Sequence, residues 1–138
     1  MSGADMPIAT MAGGTCVGFP DVCKTQVGPA TVPLPYPNTG QLATGEKTTT
    51  KVMVEYMPAY TEDSKLPMSQ GDEAGALGGV VSGMNMGEVA FRTTSSKVSF
   101  EGKKVVVLTA MTAHNGSNAN MPAGTLVAPS QAKVLAGL

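Results

Sequence analysis

Apolar residues in this chain form short alternating runs that are separated by glycine, proline and polar residues. The clearest run is residues 97–108, Lys-Val-Ser-Phe-Glu-Gly-Lys-Lys-Val-Val-Val-Leu, which is interrupted by one glycine. Val98 and Phe100 share a face before the glycine, and Val105 and Val107 continue the pattern after it. Alternation predicts strands, and the glycine provides the positive φ that a tight turn needs. The run therefore predicts a β-hairpin.

The segment from Thr48 to Tyr56 alternates in the same way and predicts another strand. The two segments align at a constant offset of 46 residues, which pairs Lys51, Val52, Val54 and Glu55 with Lys97, Val98, Phe100 and Glu101. Three such periods equal the 138 residues of the chain. Residues 132–135, Ala-Lys-Val-Leu, form a weak third copy that is out of phase with this offset. The repeat indicates internal pseudo-symmetry.

Prolines alternate with apolar residues in the segment 32–38, Val-Pro-Leu-Pro-Tyr-Pro-Asn. This segment is not a central strand, because every second residue lacks a backbone N–H. Proline also holds its neighbours in extended geometry, so we expect an ordered, extended ribbon with Val32, Leu34 and Tyr36 on one face. A disordered linker would have charged and polar residues between its prolines.

Glycines recur in residues 68–83, at positions 71, 75, 78, 79 and 83. This density favours close backbone packing over a helix of more than a turn or two near Asp72. The segment lacks the Gly-Lys-Ser/Thr ending of a phosphate-binding loop. Asp72 and Glu73 are adjacent, so they do not form the convergent carboxylate pair of a glycosidase.

Composition limits the fold class. Glycine (17 residues) and proline (10 residues) are abundant, and tryptophan is absent. Helical bundles are excluded, because glycine inside a helix costs about 1 kcal/mol and proline about 3 kcal/mol. We therefore expect an all-β fold with a core of Val, Met, Leu and Ala. A single domain over residues 16–138, preceded by a flexible segment of residues 1–15, fits the length of the chain.

Charge limits the partners and the cellular location. The formal net charge is −1, with nine basic and ten acidic residues, which excludes the cationic surface of a nucleic-acid-binding protein. No apolar run reaches the roughly 18 residues of a membrane helix. The first basic residue is Lys24 and no apolar leader precedes it, so we expect synthesis in the cytoplasm without a secretory signal.

His114 is the only histidine, and it lies in the polar run Ala-His-Asn-Gly-Ser-Asn. Catalysis by a Ser/His/Asp or Cys/His set would have to use this residue. A histidine among Asn, Ser and Gly is more typical of a turn, so we expect no enzymatic activity. A small hydrolase that uses His114 with Cys23 is the alternative.

The candidate metal ligands are Cys16, Cys23 and His114, with Asp21 as a further oxygen donor. A structural zinc site takes four such ligands. The two cysteines are separated by six residues, wider than the paired cysteines of zinc ribbons. Zinc binding, a Cys16–Cys23 disulfide and two free thiols all remain open.

Several ordered motifs carry a family resemblance, and they are residues 18–25 (Gly-Phe-Pro-Asp-Val-Cys-Lys-Thr), 32–38, 69–83, 112–115 and 128–131. Together they resemble the PAAR-like spike-tip domains. The closest branch, Tox-PAAR-like, has a Pro-x-Pro-Tyr-Pro-Asn motif and is often found at the head of polymorphic toxins. The resemblance runs from about Cys16 to Leu135.

This resemblance implies a compact cone of short strands with approximate three-fold pseudo-symmetry. It implies a non-enzymatic tip that caps the trimeric VgrG-type spike of a type VI secretion system or a related contractile injection machine. One tip would sit on each trimer, meet the target membrane mechanically and recruit an effector. An adaptor or chaperone that loads effectors is the alternative.

The resemblance also implies site residues. Better-known members bind zinc near the apex through three histidines and a cysteine, and in this chain only Cys23 and His114, with Cys16, could contribute to such a set. The expected wall and base, which would contact the spike, contain Val32, Leu34, Tyr36, Gly75, Gly78 and Gly79.

Overall fold

The computed structural model describes residues 5–137, and within them the chain is built almost entirely of short β-strands. This confirms the all-β prediction. The strands are β1 (Asp5–Pro7), β2 (Thr15–Val27), β3 (Ala30–Gln41), β4 (Met53–Val54), β5 (Met57–Pro58), β6 (Lys65–Leu66), β7 (Val89–Phe91), β8 (Ser99–Phe100), β9 (Lys103–Lys104), β10 (Met111–His114), β11 (Met121–Ala128) and β12 (Leu135–Gly137). A short 3₁₀ turn, Leu42–Thr44, follows β3. None of the helical structure in residues 5–137 is long and apolar enough to cross a membrane.

Six antiparallel strands form the main sheet, in the order β3-β2-β11-β10-β7-β6. Each edge strand of this sheet also has an isolated bridge: Thr39 of β3 pairs with Gln70, and Lys65 of β6 pairs with Glu46. Both edges are therefore partly covered by neighbouring segments of the chain.

The proline-containing segment lies in β3, which pairs with β2 from Thr15 to Val27. Val32, Leu34 and Tyr36 are half-buried, whereas the intervening Pro33 and Pro35 are exposed. The predicted extended ribbon with one apolar face is thus confirmed. β11 pairs with the start of β2, and nearer the β2–β3 turn the segment 77–80 takes its place as the other neighbour of β2.

Three extended segments, residues 7–11, 58–62 and 104–108, form a closed ring of backbone hydrogen bonds. The Ala9 N–H donates to the Val106 carbonyl (2.8 Å), the Val106 N–H to the Tyr60 carbonyl (3.0 Å), and the Tyr60 N–H to the Ala9 carbonyl (2.9 Å). A second set of three hydrogen bonds joins the segment ends in the opposite direction around the ring. The Met11 N–H donates to the Pro58 carbonyl, the Glu62 N–H to the Lys104 carbonyl and the Leu108 N–H to the Pro7 carbonyl. Each segment therefore contacts the other two in an equivalent way, which is three-fold pseudo-symmetry at the level of the backbone.

A two-stranded ribbon leads into each segment of the ring. Ribbon 2 is β4–β5 and ribbon 3 is β8–β9, and their paired residues differ by the 46-residue offset. Both turns have two consecutive residues with positive φ, Glu55–Tyr56 and Glu101–Gly102, as type I′ turns require. The predicted hairpin and its repeat are confirmed.

Ribbon 1 pairs β1 with β12, so it is assembled from two distant parts of the chain. Its second segment, Lys133-Val134-Leu135-Ala136, occupies the position that Lys51–Val54 and Lys97–Phe100 hold in the other ribbons. The Ile8 N–H donates to the Val134 carbonyl (3.1 Å), as the Val105 N–H donates to the Val98 carbonyl (3.2 Å). The weak third copy is therefore structurally equivalent to the other two.

The ring separates two apolar cores, because successive side chains of an extended segment point to opposite sides. Ala9, Tyr60 and Val106 belong to the larger core, against the main sheet. The smaller core lies among the ribbons and contains Ile8, Val54, Ala59, Val105, Val107 and Ala136. Val54 of ribbon 2 and Ala136 of ribbon 1 belong to it, and Phe100 of ribbon 3 packs against it. Burial of apolar surface therefore holds the ribbons together.

The expectation that residues 1–15 are a flexible segment outside the domain needs correction. From Asp5 onward this segment is part of the fold, since β1 pairs with β12 and Ile8, Ala9 and Thr10 are buried. Small and uncharged residues suggested flexibility, but here they fit the crowded centre of the ring. Residues 1–4 lie outside the described residues.

Candidate functional site

Two regions of the fold qualify as functional sites: a buried polar cluster and the exposed surface of the three ribbons. The polar cluster lies between the larger core and the β2–β3 turn. β2 contributes Asp21 and Cys23, which point to the same side because they are two residues apart. The other members are Asn38 from β3, Asp72 from the glycine-rich segment, and His114, Asn115 and Asn120 from β10 and the loop after it; all seven are buried.

Amide groups surround the two carboxylates of the cluster. Asp21 Oδ1 accepts from Asn120 Nδ2 (2.5 Å) and Asn115 Nδ2 (3.1 Å), and Asp21 Oδ2 accepts from Asn38 Nδ2 (3.3 Å). Asp72 Oδ1 accepts from the backbone N–H of Met86 (3.1 Å). Side-chain and backbone N–H groups therefore replace the water that burial removes.

The carboxylates of Asp21 and Asp72 lie close together, with oxygens within 4.8 Å of each other. Burial, followed by a hydrogen bond to Asp21 and the charge of Asp21, raises the pKa of Asp72 to about 7. Like charges at short distance oppose double ionisation. Burial, followed by the charges of Asp21 and Asp72, also raises the pKa of the Cys23 thiol to about 12. Cys23 is therefore a protonated thiol, which is a poor nucleophile.

His114 is held as a neutral imidazole. Its Nδ1 lies 2.7 Å from Asn38 Oδ1, which only accepts, so Nδ1 carries the proton and Nε2 accepts from the Thr112 hydroxyl (2.7 Å). Burial lowers the pKa of His114 to about 4. An added Cβ at Gly124 would lie 2.5 Å from Nε2, and one at Gly18 would lie 2.9 Å from Cδ2. The two glycines thus enclose the ring, and both nitrogens are occupied.

The structure does not bring the predicted zinc ligands Cys16, Cys23 and His114 together. Cys16 packs in the larger core with Tyr60 and Leu66, and both cysteines are free thiols. Within residues 5–137, the group that could hold a metal ion is Asp21, Cys23 and Asp72, whose ligand atoms lie within 4.8 Å of one another.

That group does not fit a structural zinc ion well. The oxygens of Asp21 accept from three amide groups, and both nitrogens of His114 are bonded to other side chains. Zinc requires deprotonated ligands with free lone pairs. The cluster is therefore better described as a hydrogen-bonded polar core.

The residues expected to contact a partner lie in two environments. Tyr36 is half-buried, and its hydroxyl lies 2.7 Å from that of Thr25. Gly75 and Gly79 are buried, and an added Cβ would lie 2.3 Å from Cys23 Cβ or 2.3 Å from Asn120. This confirms the close packing predicted for the glycine-rich segment. A contact of these residues with a partner stays a prediction.

The surface of the three ribbons repeats its polar contacts around the ring. The Glu101 carboxylate at the turn of ribbon 3 accepts from the backbone N–H groups of Thr50, Lys51 and Val52, at 2.9 to 3.1 Å. These N–H groups hold the pKa of Glu101 below its usual range. Glu55, the equivalent residue of ribbon 2, forms an ion pair with Lys133 before β12 (3.8 Å). The turns of ribbons 2 and 3 therefore each contact the residues that lead into another ribbon.

With this geometry described, comparison with known proteins places the chain in a family. The model of the Toxin PAAR-like domain (Tox-PAAR-like) matches residues 14–122, which is more than half of the chain. The chain belongs to the Toxin PAAR-like domain family. This confirms the resemblance seen in the motifs. No solved structure matches the chain.

A curated relative of this PAAR-like domain is the protein named DNase toxin Tse7 from Pseudomonas aeruginosa. The two are 37% identical over 134 residues, which is 91% of this chain and 34% of the relative. The chain therefore spans about a third of the length of that toxin. The PAAR-like domain is the part that they share.

Sequence reasoning missed the role of the asparagines. Asn38, Asn115 and Asn120 connect the cluster, and none of them was a candidate site residue. Asn38 ends the proline motif and Asn115 follows the only histidine. Their position in these family motifs was the one sequence feature that could have indicated a role. Asparagine is usually a turn residue, and only the fold brings these three to buried carboxylates.

Proposed function

We propose that this PAAR-like domain is a non-enzymatic tip that caps a trimeric VgrG-type spike of a type VI secretion system or related contractile injection machine. The observation that carries the proposal is the ring of three equivalent segments and three ribbons. A single chain that matches a trimer must present three similar surfaces, because each protomer of the trimer offers the same one.

The ribbon surface has the chemistry of an interface. Each ribbon is short, and its exposed edges can pair with strand ends of a partner or be covered by them. Met53, Tyr56 and Leu135, which lie on ribbons 2 and 1, have large exposed side chains. Apolar surface of this kind on a small domain favours burial against a partner. The proposal places the spike contact on the ribbons and the apex at the β2–β3 turn, so it moves the contact away from Val32, Leu34 and Tyr36 of β3.

The absence of catalysis is part of the proposal. The Cys23 thiol is protonated, and both nitrogens of His114 are bonded to neighbouring side chains. A hydrolase that uses this pair would need a thiolate and a free imidazole nitrogen. The curated relative is named a DNase toxin, and its shared third corresponds to the domain described here. We propose that such a domain carries an effector outward on the spike after synthesis in the cytoplasm.

The test is the stoichiometry of the complex with the purified trimeric spike protein. We expect the two proteins to co-purify with one copy of this chain per trimer, as mass photometry or multi-angle light scattering would measure. Three copies per trimer, or no complex at micromolar concentration, would contradict the proposal. An effector-loading adaptor would instead bind an effector and leave the trimer free.

His114 separates the tip from the hydrolase. The variant His114→Gln should stay folded at neutral pH and bind the spike like the original chain, because His114 is remote from the ribbon surface in the topology. Loss of a hydrolytic activity of the original chain in this variant would support the enzyme instead.

A further inference from the structure

Ribbons 2 and 3 have equivalent turns, and the largest difference between these turns is at their second residue. Tyr56 is the second turn residue of ribbon 2, its φ is 68°, and its side chain is 95% exposed. The equivalent residue of ribbon 3, 46 positions later, is Gly102, with φ 80°. The paired strands and the first turn residues, Glu55 and Glu101, match in backbone geometry. At the two turns the backbone is therefore equivalent, whereas one turn has an aromatic side chain and the other has none.

Tyr56 is unfavourable for the isolated domain in two ways. Positive φ is strained for a residue with a Cβ, and glycine avoids that strain at the equivalent turn. An aromatic ring that is almost fully exposed also leaves its apolar surface in water. Tyrosine is, however, among the residues that contribute most to binding energy when they enter a pocket of a partner. A role in binding accounts for the exposed tyrosine at positive φ, which does not stabilise the isolated fold.

We propose, on the basis of the spike-capping function above, that Tyr56 is the anchor of the tip on the trimeric spike. The ring of the tyrosine enters a pocket of one spike protomer. The trimer has the same pocket in its other two protomers, and ribbon 3 presents Gly102 there without a side chain. Ribbon 1 has no such turn, since its two strands come from distant parts of the chain.

The first experiment measures the affinity of the domain for the purified trimeric spike protein by biolayer interferometry. Tyr56→Gly should weaken binding about tenfold or more, because it removes a side chain of the hot-spot type. Val27→Ala is the matched control, since Val27 is 50% exposed at the β2–β3 turn, away from the ribbons. Equal loss in both variants, or no loss in Tyr56→Gly, would overturn the proposal.

The second experiment moves the anchor to the next ribbon. An added Cβ at Gly102 meets no atom within 4 Å, so the double variant Tyr56→Gly/Gly102→Tyr can present the ring from ribbon 3. Because the spike pockets are equivalent, the double variant should recover most of the lost affinity. Weak binding by the double variant, with an unchanged urea midpoint, would show that the two turns do not face equivalent pockets and would overturn the proposal.

These outcomes are distinct from failure of the proposed function. If the original chain does not bind the trimer, the capping function is wrong. If it binds with one copy per trimer and Tyr56→Gly binds equally well, capping stands and the anchor is wrong. Urea unfolding of every variant checks that affinities are compared between folded proteins.

Discussion

The centre of the ring and the polar cluster are both buried, but backbone groups hold the ring together and side chains hold the cluster together. The ring is held by backbone N–H and carbonyl groups, as in the cycle of Ala9, Tyr60 and Val106, with apolar side chains above and below. The polar cluster is held by side chains, as in the contacts of Asn38 and Asp21. A backbone ring tolerates a change of side chain, whereas a side-chain network loses its bonds with the residue.

This difference explains where the sequence repeats and where it does not. The ring needs only apolar residues of suitable size, so Ala9, Tyr60 and Val106 share a position without sharing an identity. The cluster needs particular hydrogen-bonding groups in one arrangement and occurs once within residues 5–137. Substitutions at the two sites should therefore differ in cost.

Asn38→Ala should produce the largest loss of stability. It removes the acceptor of His114 Nδ1 and the donor to Asp21, Ser69 and Asp72. Buried groups left without partners cost about 1–3 kcal/mol each, so we expect a loss of about 3–5 kcal/mol. Urea unfolding measures it. Asn118→Ala, at an exposed position, is the control and should change stability by less than about 0.5 kcal/mol.

Val106→Ala tests the ring and should cost less, about 2 kcal/mol, because it removes two buried methyl groups and keeps every backbone hydrogen bond of the cycle. The same urea titration measures it, with Val127→Ala on the exposed side of β11 as control. A loss larger than that of Asn38→Ala would show that the ring depends on side chains as strongly as the cluster does.

The third prediction separates two titrations inside the cluster. The pKa of Asp72 is raised to about 7, so its contribution to stability is full below about pH 4 and is lost as the pH rises through 7. The pKa of His114 is lowered to about 4, so its contribution is full above pH 6.5 and is lost as the pH falls through 4. Asp72 makes the free energy of unfolding fall as the pH rises, and His114 makes it rise. Because the two effects oppose each other, we expect the free energy of unfolding to depend only weakly on pH between pH 4 and 6.5.

Each single variant removes one of the two contributions and leaves the pH dependence of stability that the other causes. Asp72→Asn should lose stability as the pH falls from 6.5 to 4, and His114→Gln should lose it as the pH rises from 4 to 7, each on the order of 1 kcal/mol. Urea midpoints across this range measure both. Slopes of the same sign in the two variants would contradict the assignment.

The smallest effect concerns the ribbons and has the opposite sign. Tyr56→Gly should stabilise the isolated domain by about 0.5–1 kcal/mol, because glycine adopts the φ of 68° without strain. Gly102→Tyr should destabilise it by a similar amount. Thermal unfolding of the two variants provides the measurement, and destabilisation by Tyr56→Gly would show that the tyrosine contributes to the fold.

The sequence predicted the elements whose signal is local. The hairpin of residues 97–108, its repeat 46 residues earlier and the extended proline ribbon all depend on alternation and on turn residues near in sequence. The third copy looked out of phase because ribbon 1 is not a hairpin: β12 pairs with β1 and not with the residues that follow it. A fixed period cannot describe a ribbon made from distant segments.

The candidate site was less predictable, because it depends on contacts between distant residues. Cys23 and His114 do lie in one region, but Cys16 is in the larger core, on the other side of the shift in register between β2 and β3. The asparagines of the cluster and the exposure of Tyr56 carry no local signature. Only the register of β2, β3 and β10 brings Asn38 to His114.

Ribbon 1 has a consequence for the synthesis of the protein. Asp5 pairs with Gly137, so ribbon 1 forms only after the ribosome has made nearly all of the described chain, although the three ring segments are complete by residue 108. Until then, the ring lacks a ribbon and the smaller core lacks Ala136, which leaves apolar surface open on the nascent polypeptide. The domain therefore completes its fold only when the whole span from Asp5 to Gly137 is available.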